Sequence, residues 1–182
     1  MMRFDRYTER AQDATMRAYQ ILQRYNHNQV DVEHLMLALL EQPEGVVSDL
    51  MERLNADTEG VKERLDQVLQ SSPKVSIYGG GTGQVFITPK VKRVLDQANK
   101  EASGLKDEYI STEHLFLAIA AERSTPSEKI LREMGVTRER ILEAGAPVCH
   151  PGVRAGQGRL LFVRVRFLFG RHRDHPIIDR LG

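Results

Sequence analysis

Glu33-His34 and Glu113-His114 carry the side chains best suited to chemistry, because imidazole and carboxylate both bind metals and both carry protons. Their spacing opposes a metal site. Adjacent residues on a helix point about 100° apart, and no third ligand recurs near either pair. A helix starting after Asp31 or Ser111 places each histidine at its third position, where capping or partial burial is the expected role. The same start places each glutamate at the second position, where the helix dipole favours a carboxylate by roughly 0.3–1 kcal/mol. Cys149, the one cysteine, precedes His150 in a Pro/Gly context with no orienting third group, so nucleophilic catalysis finds no support. The run Gly79-Gly80-Gly81-Thr82-Gly83 has neither a following Lys-Ser/Thr nor a preceding strand, so it does not read as a phosphate-cradling loop. With no G-x-x-x-x-G-K-[ST] motif and no convergent catalytic set, the expectation is a protein that is not an enzyme and takes no cofactor.

The elements that position these residues repeat. Shifted by 80 residues, the sequence matches itself without a gap: Thr8 falls on Thr88, Ala18 on Ala98 and Val30 on Ile110. Glu33-His34-Leu35-Met36-Leu37-Ala38-Leu39 falls on Glu113-His114-Leu115-Phe116-Leu117-Ala118-Ile119. Each copy reads as four helices. Thr8 and Thr88 are candidate N-caps, the latter followed by Pro89 where a missing N–H costs nothing. The first helix keeps apolar spacing through Ala11, Ala14, Ala18, Ile21 and Leu22, or Val91, Val94, Leu95 and Ala98. The second is stapled by Val30 with Leu35, or Ile110 with Leu115. Third helices are expected at about 46–54 and 126–134, and fourth ones near Thr58 and Thr137. The predicted fold is all-α, two pseudo-symmetric four-helix repeats packed as one domain. Its boundaries are repeat one at about 4–70, a Ser/Pro/Gly linker at 71–86 and repeat two at about 87–144.

Residues 145–182 differ in kind. They hold seven arginines, no lysine and only Asp174 and Asp179, a net of +5, whereas positions 1–144 carry a net of −4. The abrupt change fits a shifted reading frame or a truncated gene better than a basic nucleic-acid or membrane arm. No apolar run approaches the roughly 20 residues of a bilayer span, and the N-terminus lacks a signal-peptide core. One cysteine fits a reducing compartment, and a cytoplasmic location is expected.

The motifs now reached resemble the Clp N-terminal repeat domain, the paired module that precedes the ATPase rings of ClpC- and ClpB-type unfoldases. The carriers are Phe4 with Tyr7-Thr8-Glu9-Arg10-Ala11, Asn26-His27-Asn28, Val32-Glu33-His34-Leu35, Phe86-Ile87-Thr88-Pro89 and Thr112-Glu113-His114-Leu115. The resemblance spans about residues 3–144 and implies a truncated or stand-alone copy. It implies a non-catalytic module that binds substrate proteins or adaptors, monomeric by default, with nucleic acid and membrane not expected as partners. The rival expectation is a basic-tailed nucleic-acid binder on a helical scaffold.

In the ClpC branch the resemblance further implies two pockets for phosphorylated arginine, a carboxylate receiving the guanidinium and a capped helix N-terminus the phosphate. Thr8 with Glu33, and Thr88 with Glu113, match residue by residue. Val32 and Thr112, which precede the glutamates, differ, so the pockets need not be identical. ClpB-type relatives lack this preference. Phe4, Tyr7, Phe86 and Ile87 either staple the two chain entries to the core or form an exposed apolar patch for peptides or adaptors.

Overall fold

Thr8 and Thr88 do what their hydroxyls allow at a chain entry: each accepts a 3.3 Å hydrogen bond from an orphan amide, Ala11 N–H or Val91 N–H. The computed structural model describes residues 5–74 and 86–145. Behind those caps run α1 (Glu9–Arg24) and α5 (Pro89–Gly104), equal in length. Repeat one continues through β1 (Gln29–Val30), α2 (Val32–Leu40), α3 (Val46–Arg53) and α4 (Thr58–Ser71). Repeat two opens on β2 (Phe86–Ile87) and continues from α5 through α6 (Thr112–Ala121), α7 (Pro126–Glu133) and the shorter α8 (Arg138–Gly145). The all-α, two-repeat reading holds. The described residues up to Ala144 form one compact unit.

The apolar runs explain which helices lie inside. All nine residues of α2 are buried, as are seven consecutive-to-near-consecutive residues of α6 from Thr112 to Ile119 apart from Glu113. A helix apolar on every side has to be surrounded. Helices α2 and α6 accordingly touch each other, pack against their own repeat's first helix, and reach across to α7 and α3 respectively. Neither repeat closes this core alone.

Two short parallel pairings stitch the halves, and both cross the pseudo-two-fold. In β1–β2, Val30 stands opposite Ile87. Tyr7 forms the matching bridge with Ile110, and these are the residues 80 positions from Ile87 and Val30. Thr88 N–H donates to the Val30 carbonyl at 3.0 Å and Thr8 N–H to the Ile110 carbonyl at 2.9 Å. The entry to each first helix is thereby tied to the other repeat's second helix. These bonds also trim the expected 71–86 linker. Ser71 still closes α4, its hydroxyl donating to the Val68 carbonyl, and Phe86 already belongs to β2. The glycine run of the linker, residues 146–182 with Cys149, and Phe4 lie outside the described residues.

The repeat also shows in backbone conformation. Asn26 and Lys106, 80 residues apart, follow α1 and α5 with φ of 56° and 59°; Asn55 and Gly135 follow α3 and α7 with φ of 52° and 74°. All four occupy the left-handed position that terminates a helix. A lysine there carries a Cβ clash that glycine avoids. Lys106→Gly is expected to stabilise the domain by about 1 kcal/mol, read as a raised denaturation midpoint; an unchanged or lowered midpoint would refute the cap assignment.

Candidate functional site

The crossed pairings decide which residues can meet. Thr88 stands at the N-terminus of α2, where its hydroxyl donates to Asp31 Oδ1 at 2.9 Å, and Thr8 is tied to the backbone at Ile110, immediately before α6. The expected partnership of Thr8 with Glu33 and Thr88 with Glu113 is therefore corrected. The structure groups Thr88 with the helix bearing Glu33 and Thr8 with the helix bearing Glu113. Periodicity identifies equivalent residues but does not say whether equivalents pair within a repeat or across it.

Each of the two N-termini is built by a histidine at the third position. Asp31 N–H donates to His34 Nδ1 and Ser111 N–H to His114 Nδ1, both at 3.0 Å, completing capping boxes with the Asp31 and Ser111 side chains. The capping role expected for His34 and His114 is what the geometry displays. Beyond the caps the repeats part. His34 Nε2 lies 2.8 Å from His27 Nδ1, whereas His114 Nε2 lies 3.1 Å from the Asp107 carboxylate, the residue equivalent to His27.

The glutamates part as well. Glu33 is 4 % exposed, and its Oε1 accepts from Ser127 N–H at 3.2 Å and from Ser127 Oγ at 3.1 Å. Burial, with Asp31 close by, pushes its carboxyl above the usual carboxylate range, and the Ser127 bonds pull back only part of the way. Glu113 is half-buried, and its carboxylate takes a 3.3 Å bond from the Thr112 hydroxyl beside it. Val47 holds the position equivalent to Ser127 and has no hydroxyl to offer. Ser127 and Asp31 are residues of this site that the Thr/Glu pattern alone did not single out; only the offset comparison of Ser127 with Val47 could have flagged the first.

Of the apolar residues at the chain entries, Phe86 is 54 % and Ile87 39 % exposed, while Tyr7 is half-buried against the core. The first two stand open to solvent, and the third packs on the core. Elsewhere, an open depression of about 420 Å³ between α5, α6 and α8 is lined by Arg93, Glu101, Glu122 and Arg138. Those charges satisfy one another, Arg93 with Glu122 at 3.2 Å and Arg138 with Glu101 at 2.7 Å. Among the described residues no group of three or more His, Cys, Asp or Glu is placed to hold a metal ion, and no helix is long and apolar enough to cross a membrane.

The Clp repeat (R) N-terminal domain family matches residues 6–134. The chain belongs to this family. Among relatives, the chaperone protein ClpB of Nitratidesulfovibrio vulgaris is 38 % identical over 142 residues, 78 % of this chain. ClpB of Bacillus cereus is 31 % identical over 143 residues, 79 % of this chain. The chain spans about 16 % of the length of either relative. Clp N-domains also share its fold. The Hsp104 N-terminal domain from Candida albicans superposes with a TM-score of 0.65 at 20 % identity, covering 76 % of this chain and 87 % of that one. A ClpV N-domain in complex with a VipB peptide gives 0.57 at 17 % identity, covering 78 % and 89 %.

Proposed function

We propose that this Clp N-terminal domain is a recognition module that binds substrate proteins or adaptors on behalf of a Clp ATP-dependent unfoldase, with phosphorylated arginine as the side chain it reads. The observation that carries the reading is the crossed arrangement at α2 and α6. At each end a capping threonine from one repeat stands beside a helix N-terminus that bears the other repeat's glutamate. Helix N-termini favour phosphate oxygens, and a carboxylate favours a guanidinium, so the two halves of a phosphoguanidinium group each have a counterpart. Exposed Phe86 and Ile87 offer apolar surface to other side chains of a bound peptide. The ClpV N-domain, which shares this fold and has been solved in complex with a VipB peptide, supports peptide recognition as the domain's work. No step of this function breaks a bond.

Calorimetric titration of the chain with phosphoarginine, against phosphoserine as control, tests the reading. Saturable binding of phosphoarginine with at least about tenfold preference over phosphoserine is the expected result. No binding of either would leave a peptide- or adaptor-binding domain of the ClpB kind, without a phosphoarginine pocket.

A further inference from the structure

We propose that the two pseudo-equivalent pockets have diverged: the one at α2 is shut by a clasp between Glu33 and Ser127, and the one at α6, with Thr8 and Glu113, alone receives the ligand. The inference rests on reading the Thr/Glu pairs as phosphoguanidinium sites, and three differences between the repeats carry it.

First, the Glu33 carboxylate is already in use. It reaches from the first turn of α2 to the first turn of α7 and accepts from both the amide and the hydroxyl of Ser127, itself fully buried. It serves as a cap supplied by one repeat to a helix of the other. Both bonds hold Oε1 inside the interface, and a guanidinium that drew the carboxylate outward would leave two buried donors without an acceptor. Second, Thr88 is also engaged, and by a negative charge. Its hydroxyl donates to Asp31, so a phosphate arriving there would meet a carboxylate within hydrogen-bond range of the group meant to hold it. Third, the α6 end lacks both obstacles. Ser111 stands where Asp31 stands and is neutral, Val47 stands where Ser127 stands and cannot bond a carboxylate, and Glu113 keeps partial exposure.

Binding and melting of the full chain are to be measured side by side for Glu33→Ala, Glu33→Gln and Glu113→Ala. The expected stoichiometry is one phosphoarginine per chain. Glu113→Ala weakens binding at least about tenfold and moves the Tm by less than about 2 °C. Glu33→Ala lowers the Tm by roughly 5 °C, because two buried donors lose their acceptor, and leaves the affinity within about threefold. Glu33→Gln keeps an acceptor oxygen and retains both the Tm and the affinity, which keeps the comparison readable if the alanine variant does not fold. Two equivalents bound, with each glutamate variant removing one, would overturn the inference. So would equal melting shifts in Glu33→Ala and Glu113→Ala. Should the unaltered chain bind no phosphoarginine, the phosphoarginine reading fails on that result alone, while the melting comparison still decides whether Glu33 is a clasp.

Discussion

Phe116→Ala is expected to remove about 3–5 kcal/mol of stability, a large part of what a domain of this size possesses. Phe116 is completely buried and is the bulkiest of the fully buried side chains among the described residues. It sits midway along α6, where Leu115, Leu117, Ala118 and Ile119 are also sealed, so no neighbouring surface can fold inward to fill the gap. The cost of truncation therefore combines the lost burial of an aromatic ring with an unrelieved cavity. Met36, its equivalent in α2, is equally buried, and Met36→Ala should cost about 2–5 kcal/mol. Because α2 and α6 touch each other and each reaches into the opposite repeat, both variants should unfold in a single cooperative step. Urea denaturation followed by circular dichroism and by tyrosine fluorescence checks this. Coincident transitions with a lowered midpoint are expected. Separate transitions for the two signals, or a loss below about 1 kcal/mol, would mean that each repeat has a core of its own.

Much of that core was legible in the sequence, because burial follows period. Ala11, Ala14, Ala18, Ile21 and Leu22, spaced as a helix face, are the buried residues of α1, and the third helices fall within a residue of their expected ends. Caps were legible for the same reason: a hydroxyl or carboxylate ahead of an apolar run has few better uses than an orphan amide. The site was less legible. Thr8, Glu33, Thr88 and Glu113 were recognisable as equivalent positions, yet their pairing depends on two-residue strands, Gln29–Val30 and Phe86–Ile87, too short for any periodicity to announce. The fate of Glu33 depends on Ser127, 94 residues away and unremarkable in its own helix. Long-range contacts of single side chains leave no local pattern. The repeat even misleads here, since identical glutamates at identical helix positions invite identical roles, and the difference lies in what faces them.

A second large effect follows from the histidine pair of repeat one. Asp31 N–H donates to His34 Nδ1, so that nitrogen carries no proton; His34 Nε2 must then carry it and donate to His27 Nδ1, 2.8 Å away. His27 stacks in turn on Tyr25, whose hydroxyl bonds Asp66 of α4. Every acceptor in this chain of bonds is occupied, so an added proton has to break one. Burial, reinforced by the neighbouring His27, pulls His34 from its ordinary 6.5 down to about 4, and burial lowers His27 as well. The unfolded chain takes up the proton first. The stabilisation is therefore complete above about pH 6.5 and drains away as the pH falls from there toward 4. Between pH 7.5 and 5 the loss from His34 should be about 2 kcal/mol. His34→Gln keeps an oxygen for the Asp31 amide and cannot titrate, so its stability should be nearly flat over the same interval. Carboxylates held low by arginine or glutamine, Asp13 and Glu101 among them, act below this window, and Glu33, held high, acts in the opposite direction; both contributions cancel in the comparison of variant with parent. In repeat two the same proton would find the Asp107 carboxylate 3.1 Å from His114, a counter-charge where repeat one offers a second imidazole. Chemical denaturation at pH 7.5 and pH 5 measures the difference, and equal losses in the parent and in His34→Gln would assign the acid sensitivity to some other group.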